Sequence, residues 1–116
     1  MNPYSERKVL VQNGVQYIVA RKGDDLKSLS EEFRLGYWQL PKYNEMKFSS
    51  TLAEGQVVYL QPKKREGAYA TYSVKEGDTV QSISQATAMK SKFIREYNGL
   101  TEESRLTPGT TLKLVR

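Results

Sequence analysis

The sequence contains neither cysteine nor histidine, and these two absences limit the chemistry open to the chain. Without cysteine there is no disulfide and no thiol nucleophile, and without histidine most nucleophilic triads and transition-metal sites are excluded. Two carboxylate pairs remain, Glu31 with Glu32 and Glu102 with Glu103. Paired carboxylates can hydrolyse glycosidic bonds, but these are sequence neighbours on stretches typical of exposed surface. We therefore expect no catalysis, no metal site and no cofactor in this chain.

Long apolar runs are also missing from the sequence. No stretch approaches the ~20 apolar residues that a transmembrane helix needs. The N-terminus lacks the order of basic, apolar and small residues that marks an export signal. Because cysteine-free modules also occur outside the cell, the lack of cysteine does not fix the compartment. The sequence is consistent with a secreted protein whose export signal is missing from this chain, or with a piece of a longer protein.

The charged residues give a formal net charge of +5. A basic surface attracts polyanions such as nucleic acid, anionic envelope polymers or acidic lipids. The basic residues are spread along the chain, however, with one dense run at residues 63–65. The aromatic residues fall at predicted core positions, which argues against a nucleic-acid interface. We expect a solvated basic surface and no nucleic-acid partner, with nucleic-acid binding as the weaker alternative.

An internal repeat organises the chain. Residues 18–60 align with residues 72–114 without a gap, and ten positions are identical where about two or three would match by chance. Five further pairs keep an apolar residue opposite an apolar residue, as expected for a duplicated core, and these are Leu26/Val80, Leu29/Ile83, Leu40/Ile94, Met46/Leu100 and Val58/Leu112. The identical pairs are Gly23/Gly77, Asp24/Asp78, Ser28/Ser82, Ser30/Ser84, Tyr43/Tyr97, Asn44/Asn98, Ser50/Ser104, Leu52/Leu106, Gly55/Gly109 and Leu60/Leu114.

Each copy is predicted to fold in the order β-α-α-β. The first strands are expected at residues 17–20 and 71–74, and the last strands at residues 56–60 and 110–114. Apolar residues at helical spacing predict the first helix of each copy, and these are Leu26, Leu29 and Phe33, matched by Val80 and Ile83. Asp25 and Thr79 precede these helices and are expected to cap them.

The second helix of each copy is shorter. We expect Ser91 to cap it in the second copy, and we expect it to start near Tyr37 in the first, with Pro41 in the first turn. Asn44 and Asn98 are expected to end these helices. The inward residues are predicted to be Trp38, Leu40 and Tyr43, matched by Phe93, Ile94 and Tyr97. Tyr37 and Trp38 have an alternative role as a sugar-stacking surface.

The residues before the first copy carry a hairpin signal. Asn13 and Gly14 form a strong turn motif between two apolar stretches, residues 7–12 and 15–19. We therefore expect the N-terminal segment to add a strand to the first copy. Residues 62–70 are expected to be a basic linker with Gly67 as its flexible point. The predicted domains are residues 1–61, the linker at 62–70, and residues 71–116.

Three blocks of the second copy, residues 72–84, 97–100 and 106–114, resemble a LysM domain. The gapless alignment extends this resemblance to the first copy, so that it covers residues 17–116. The implied fold class is α+β, with two tandem βααβ modules. Residues 2–17 also resemble the region ahead of C-terminal LysM pairs in glucosaminidase-type cell-wall hydrolases of the Bacteroides group.

The resemblance implies binding of glycans that contain N-acetylglucosamine, such as peptidoglycan, chitin and their oligomers. The sugar is expected in a shallow groove between the loop after the first strand and the loop after the second helix. In the first module the implied groove residues are Gly23, Asp24, Asp25, Leu26, Met46, Lys47, Phe48 and Ser49. In the second module they are Gly77, Asp78, Thr79, Val80, Gly99, Leu100, Thr101 and Glu102.

Structural roles compete with these implied binding roles. The glycines suit turn geometry and the aspartates suit helix capping. The first module also departs from the family pattern at two places: it has Asp25, and it lacks a glycine after Asn44. One copy is therefore a candidate for a spacer. We expect a monomeric, non-catalytic anchor at the cell envelope or outside the cell, which a hydrolase domain of a longer parent would use. Contact with another envelope protein is the alternative.

Overall fold

A computed structural model describes residues 7–116 of the chain. The chain divides into two compact units, Met1–Pro62 and Lys63–Arg116. Residues 2–6 of the N-terminal resemblance lie outside the described residues. The helices of the described part have at most eight residues. None of them combines the length and the apolar character that a membrane crossing requires.

The first unit contains three strands and two helices. In chain order these are β1 (Leu10–Gln12), β2 (Val15–Val19), α1 (Leu26–Glu32), α2 (Gln39–Asn44) and β3 (Val57–Tyr59). The strands form one antiparallel sheet in the order β1-β2-β3.

The N-terminal hairpin confirms the predicted extra strand. Asn13 and Gly14 both have positive φ angles, 53° and 74°, which is the conformation that a two-residue type I′ turn requires. The turn sets the register of β1 on β2, with Leu10 opposite Tyr17. The added strand pairs with the side of β2 away from β3, so the first sheet has three strands.

The second unit repeats the same order without the extra strand. It contains β4 (Thr71–Ser73), α3 (Val80–Thr87), α4 (Ser91–Asn98) and β5 (Thr111–Lys113), and β4 pairs antiparallel with β5. Two antiparallel sheets with two helices each confirm the α+β prediction of two βααβ modules.

Each unit has its own apolar core between its sheet and its helices. Most of the fully buried aliphatic residues occupy the positions that the repeat predicts, and burial of each contributes about 1.5–3 kcal/mol relative to exposure. In the first unit they are Leu26, Leu29, Leu40 and Val58, and in the second Ile83 and Ile94. Ile18 and Met89 are also fully buried, although the repeat did not mark them as core positions. Phe33 is also buried, at the end of α1.

The first helix of each unit begins with a reciprocal cap. The Asp25 carboxylate accepts a hydrogen bond from the Ser28 amide at 2.7 Å, and the Ser28 hydroxyl accepts one from the Asp25 amide at 3.3 Å. Thr79 and Ser82 form the same pair of bonds, at 3.0 and 2.9 Å. Both predicted caps are therefore confirmed, and each satisfies two amides that the helix leaves free.

The start of the second helix differs from the prediction in both copies. Ser91 is the first helical residue of α4 and Lys90 occupies the cap position, so the expected Ser91 cap is wrong. In the first copy α2 begins at Gln39, two residues later than expected, which still leaves Pro41 in the first turn. Trp38 therefore lies outside the helix, and its side chain is 62% exposed where a buried position was predicted.

Most of the segment that the sequence marks as a linker is hydrogen-bonded to the second unit. The Lys64 amide donates to the Ala88 carbonyl at 2.9 Å, and the Lys64 carbonyl accepts from the Lys90 amide at 2.8 Å. The buried Lys63 ammonium donates to the Ser84 hydroxyl. The polar composition of the segment does not reveal these bonds, because two of the three use only backbone atoms.

One asparagine in each unit joins the end of the second helix to the last strand. Asn44 is fully buried; its amide nitrogen donates to the carbonyls of Leu40 and Tyr59, both at 2.9 Å. Its carbonyl accepts from the Tyr59 amide at 2.7 Å. Asn98 makes the same three bonds, with Ile94 and Lys113 as partners. These bonds fix the two ends of the loop that follows each second helix.

We expect Asn44→Ala to destabilise the first unit by about 2–3 kcal/mol, because it removes partners from buried backbone groups of Tyr59. Asn98→Ala should cost less, about 1 kcal/mol, since the corresponding bonds with Lys113 are more exposed. Amide hydrogen exchange of Tyr59 and Lys113 would measure both changes. Equal protection of Tyr59 in the unchanged chain and in Asn44→Ala would contradict the expectation.

Candidate functional site

The second unit has a cleft between the two loops that the sequence predicted to form the groove. One wall follows β4 and includes Asp78, Thr79 and Val80, and the other follows α4 and includes Thr101 and Glu102. The cleft has a volume of about 470 Å³. Five of the eight predicted groove residues of this module therefore lie around one cavity.

The other three predicted residues do not line this cleft. Gly77 and Gly99 have positive φ angles of 84° and 63°, so their place in the turns has a conformational reason. Leu100 is half-buried and packs against the core of the second unit. The structure thus gives Leu100 a packing role, and the wall beside it is formed by Thr101 and Glu102.

Six residues of the cleft were missed by the sequence analysis. They are Gln81, Ser91, Arg95, Ser104, Arg105 and Leu106. Ser91 and Arg95 are four residues apart on α4 and therefore share one face of that helix. No clear sequence signal marks this pair, because Ser91 lies three residues before the core residue Ile94, on nearly the same face, and is itself buried.

The second cleft carries charges of both signs. Arg95 and Arg105 line it together with Asp78 and Glu102. The Arg95 guanidinium lies 4.0 Å from the Glu102 carboxylate, whose side chain is 86% exposed, so this pair contributes little stability. Both arginines keep donors available to a ligand, because a guanidinium has five N–H groups.

The first unit has a cleft in the corresponding position, with a volume of about 560 Å³. Gly23, Asp24 and Asp25 line one wall, and Phe48 and Ser49 line the other. These are five of the eight residues named for this module. Lys27, Ser50, Thr51 and Leu52 complete the lining and were not predicted.

The remaining predicted residues of the first module do not line its cleft. Leu26 is fully buried and Met46 packs against the core, so both serve packing. Lys47 is exposed outside the cleft lining. The two walls are joined directly, because Asp25 and Thr51 form an isolated antiparallel bridge.

Arg7 pairs with the Asp24 carboxylate of the first cleft. Its guanidinium donates to both carboxylate oxygens of Asp24, at 2.8 and 3.1 Å, and to both oxygens of Glu32, at 3.1 and 3.2 Å. Burial raises the pKa of Asp24, but the bonds from Arg7 and from the Arg21 amide outweigh it and lower that pKa on balance. Asp24 is therefore ionised and already paired.

The equivalent Asp78 of the second unit keeps the backbone partner, since Lys75 aligns with Arg21, but has different side-chain partners. It accepts from the Tyr72 hydroxyl and the Lys75 amide, both at 2.9 Å, and from the Ser82 hydroxyl at 3.0 Å. Burial raises its pKa, and these three bonds lower it on balance. Ile18 stands in the first copy where Tyr72 stands in the second. The first copy therefore lacks the tyrosine donor, and Arg7 takes its place.

The four glutamates considered for catalysis have separate surroundings in the structure. Glu31 accepts from the Tyr37 hydroxyl at 3.0 Å, and Glu32 pairs with Arg7. Glu102 lines the second cleft, whereas Glu103 is exposed and outside its lining. Within residues 7–116, no cluster of three or more acidic residues is placed to hold a metal ion.

Comparison with known proteins finds one family. The model of the LysM domain family matches residues 18–61 and 72–115. Among solved structures, the spore cortex-lytic enzyme SleL of Bacillus megaterium QM B1551 is 22% identical over 85% of this chain, with a TM-score of 0.38. SleL of Bacillus cereus is 26% identical over 86% of this chain, also with a TM-score of 0.38. The matched part is 22% of each of those chains. No curated protein matches.

We expect the stability of the first unit to decrease as the pH falls below 3.8, the ordinary pKa of an aspartate. The pKa of folded Asp24 is lower than this value, so its stabilising effect is complete above pH 3.8 and is lost as the pH falls through the folded pKa. Asp24→Asn should remove this part of the acid dependence from the first unit alone. An acid titration followed by amide signals of each unit would measure it.

Asp78→Asn is the matched control, because it should have the same effect on the second unit only. The expectation for Asp24 fails if Asp24→Asn leaves the acid dependence of the first unit unchanged.

Proposed function

Since the chain belongs to the LysM family, we propose that it is a non-catalytic carbohydrate-binding protein that holds peptidoglycan or related glycans containing N-acetylglucosamine. LysM domains are non-catalytic modules that generally bind such glycans, and they typically occur in extracellular or cell-wall proteins. The observation that carries the proposal is the repeated geometry: both units bring the same two loops together around a cleft.

Hydroxyl side chains in both clefts suit a hydroxyl-rich ligand. The second cleft offers the hydroxyl groups of Thr79, Ser91, Thr101 and Ser104, and the first offers those of Ser49, Ser50 and Thr51. Hydroxyl groups both donate and accept, so they match sugar hydroxyls and the N–H and C=O of an acetamido group. In the first cleft Phe48 adds an apolar surface for the acetyl methyl or a sugar ring.

The two arginines of the second cleft support peptidoglycan as its ligand, because Asp78 is already bonded within the protein and leaves Glu102 as the one other acidic residue of the lining. Peptidoglycan carries carboxylates on its peptides and on those lactyl groups that bear no peptide, and a guanidinium can bind a carboxylate with two parallel hydrogen bonds. Arg95 and Arg105 are the two guanidinium groups of this cleft. The net charge of +5 adds long-range attraction to anionic envelope polymers, which weakens as salt increases.

Two binding units on one chain increase retention beyond that of either unit. Each open cleft buries little of a glycan, so we expect weak single-site affinity. Once one unit is bound, the other meets the same polymer at a high effective concentration, and the combined affinity rises by ~10²-fold or more where both can engage. We infer that the chain anchors a protein to the cell wall, and that a hydrolase domain in a longer parent would use this anchor.

Titration with N-acetylglucosamine oligomers, followed by amide chemical shifts, tests the assignment of the clefts. We expect the largest changes at residues 78–81 and 101–106, and at residues 23–25 and 48–52. Shifts spread evenly over the surface, or no shifts at all, would reject both clefts as glycan sites. Binding to purified envelope proteins in the absence of any glycan shift would instead favour the assembly role.

Removal of the second unit tests the anchoring model. Deleting residues 63–116 should lower retention on insoluble peptidoglycan by more than half, because the remaining unit binds without a partner site. The deletion begins at residue 63 because the residues that follow are hydrogen-bonded to the second unit. Unchanged retention in a sedimentation assay would contradict the model.

A further inference from the structure

Two loop segments of the first unit, before and after α2, expose three large aromatic side chains. Tyr37 is 50% exposed, Trp38 is 62% exposed and Phe48 is 43% exposed. Burying such a side chain is favourable, so an exposed group of them commonly marks a binding surface. Phe48 belongs to the first cleft, whereas Tyr37 and Trp38 precede α2 and lie outside the cleft lining.

The rings of Tyr37 and Phe48 make this surface continuous with the cleft. Their centroids are 5.5 Å apart and their planes are tilted by 53°. The Tyr37 hydroxyl donates to the Glu31 carboxylate at 3.0 Å, which holds the ring beside Phe48. We call Tyr37 and Phe48 together the aromatic shelf.

The fold itself does not require aromatic residues at these positions. The second copy has the same backbone order, and it carries Ser91 where the first carries Tyr37, and Glu102 where the first carries Phe48. Both copies have a buried core and an antiparallel sheet, so the shelf is an addition to the first copy alone.

We propose that the aromatic shelf extends the first cleft and binds the next pyranose ring of a glycan chain held there. The carbon–hydrogen face of a β-linked sugar is apolar and packs against an aromatic ring, while its hydroxyl groups remain in water. Phe48 faces the cleft and contacts Tyr37, so a chain leaving the cleft past Phe48 meets Tyr37 next. This inference rests on the proposed glycan binding.

The shelf gives the two clefts different ligand preferences. The shelf adds an apolar surface to the first cleft, which suits a longer run of sugars than the cleft alone would hold. The second cleft has no such shelf and presents two arginines, two acidic residues and four hydroxyl side chains, which suits a shorter and more polar segment. The two copies thus provide two sites that bind different parts of one polymer.

Oligomer length separates the shelf from the cleft in an experiment on the full chain. Dissociation constants for N-acetylglucosamine oligomers of two to five sugars would be measured from the amide shifts of Ser49 and Thr51, which report on the first cleft only. Tyr37→Ser inserts the residue that the second copy carries. We expect it to weaken binding of the longest oligomer by about 5-fold and to leave the disaccharide unchanged.

Three comparisons make the result specific. Tyr37→Phe keeps the ring and loses only the bond to Glu31, so its affinities should stay close to those of the unchanged chain. Tyr69→Ser removes a tyrosine that is 78% exposed in the second unit, outside both cleft linings, and should change nothing. The shifts of Thr101 in the same titrations show whether the second cleft is unaffected.

The proposal is overturned if Tyr37→Ser binds every oligomer as tightly as the unchanged chain, or if it weakens the disaccharide as much as the longest oligomer. In both cases glycan binding by the cleft itself would stand. Failure of the unchanged chain to bind any oligomer would instead overturn the proposed function, and the shelf with it.

Discussion

The carboxamide of Asn44, and of Asn98 in the second copy, joins the last turn of a helix to the last strand of the sheet. Each carboxamide makes three bonds to backbone atoms, and no other group of similar size can both donate twice and accept once in that place. The loop that follows the helix therefore starts and ends at fixed points. That loop is the second wall of the cleft, so the geometry of the site depends on this interaction.

The other wall depends on an aspartate that the two copies hold in different ways. Asp78 is held by a tyrosine of the adjoining strand, whereas Asp24 is held by Arg7, which comes from the segment ahead of the repeat. The N-terminal extension thus has two functions in the first unit. It adds a strand to the sheet, and it supplies the cation that holds the loop of the cleft.

Much of this structure was predictable because the chain contains two versions of the same unit. Aligned Asp25 and Thr79 share the ability to cap a helix, and the structure confirms both caps. Trp38 was assigned to the core because helical spacing groups it with Leu40, but the helix begins one residue after Trp38. The bonds of residues 63 and 64 were missed because they join segments far apart in sequence. The glycan-binding role of the cleft residues stays a prediction.

Asn98 also has a chemical consequence for the lifetime of the fold. It is followed by Gly99, and a glycine amide has little steric hindrance to attack on the asparagine side chain, the reaction that converts asparagine to aspartate. The product would place a carboxylate oxygen against the carbonyls of Ile94 and Lys113, where the amide now donates. Asn44 is followed by Glu45, which shields it. Chemical ageing would therefore break this helix-to-strand junction in the second unit before the equivalent junction in the first, where the only Asn-Gly pair, Asn13 and Gly14, lies in the hairpin turn.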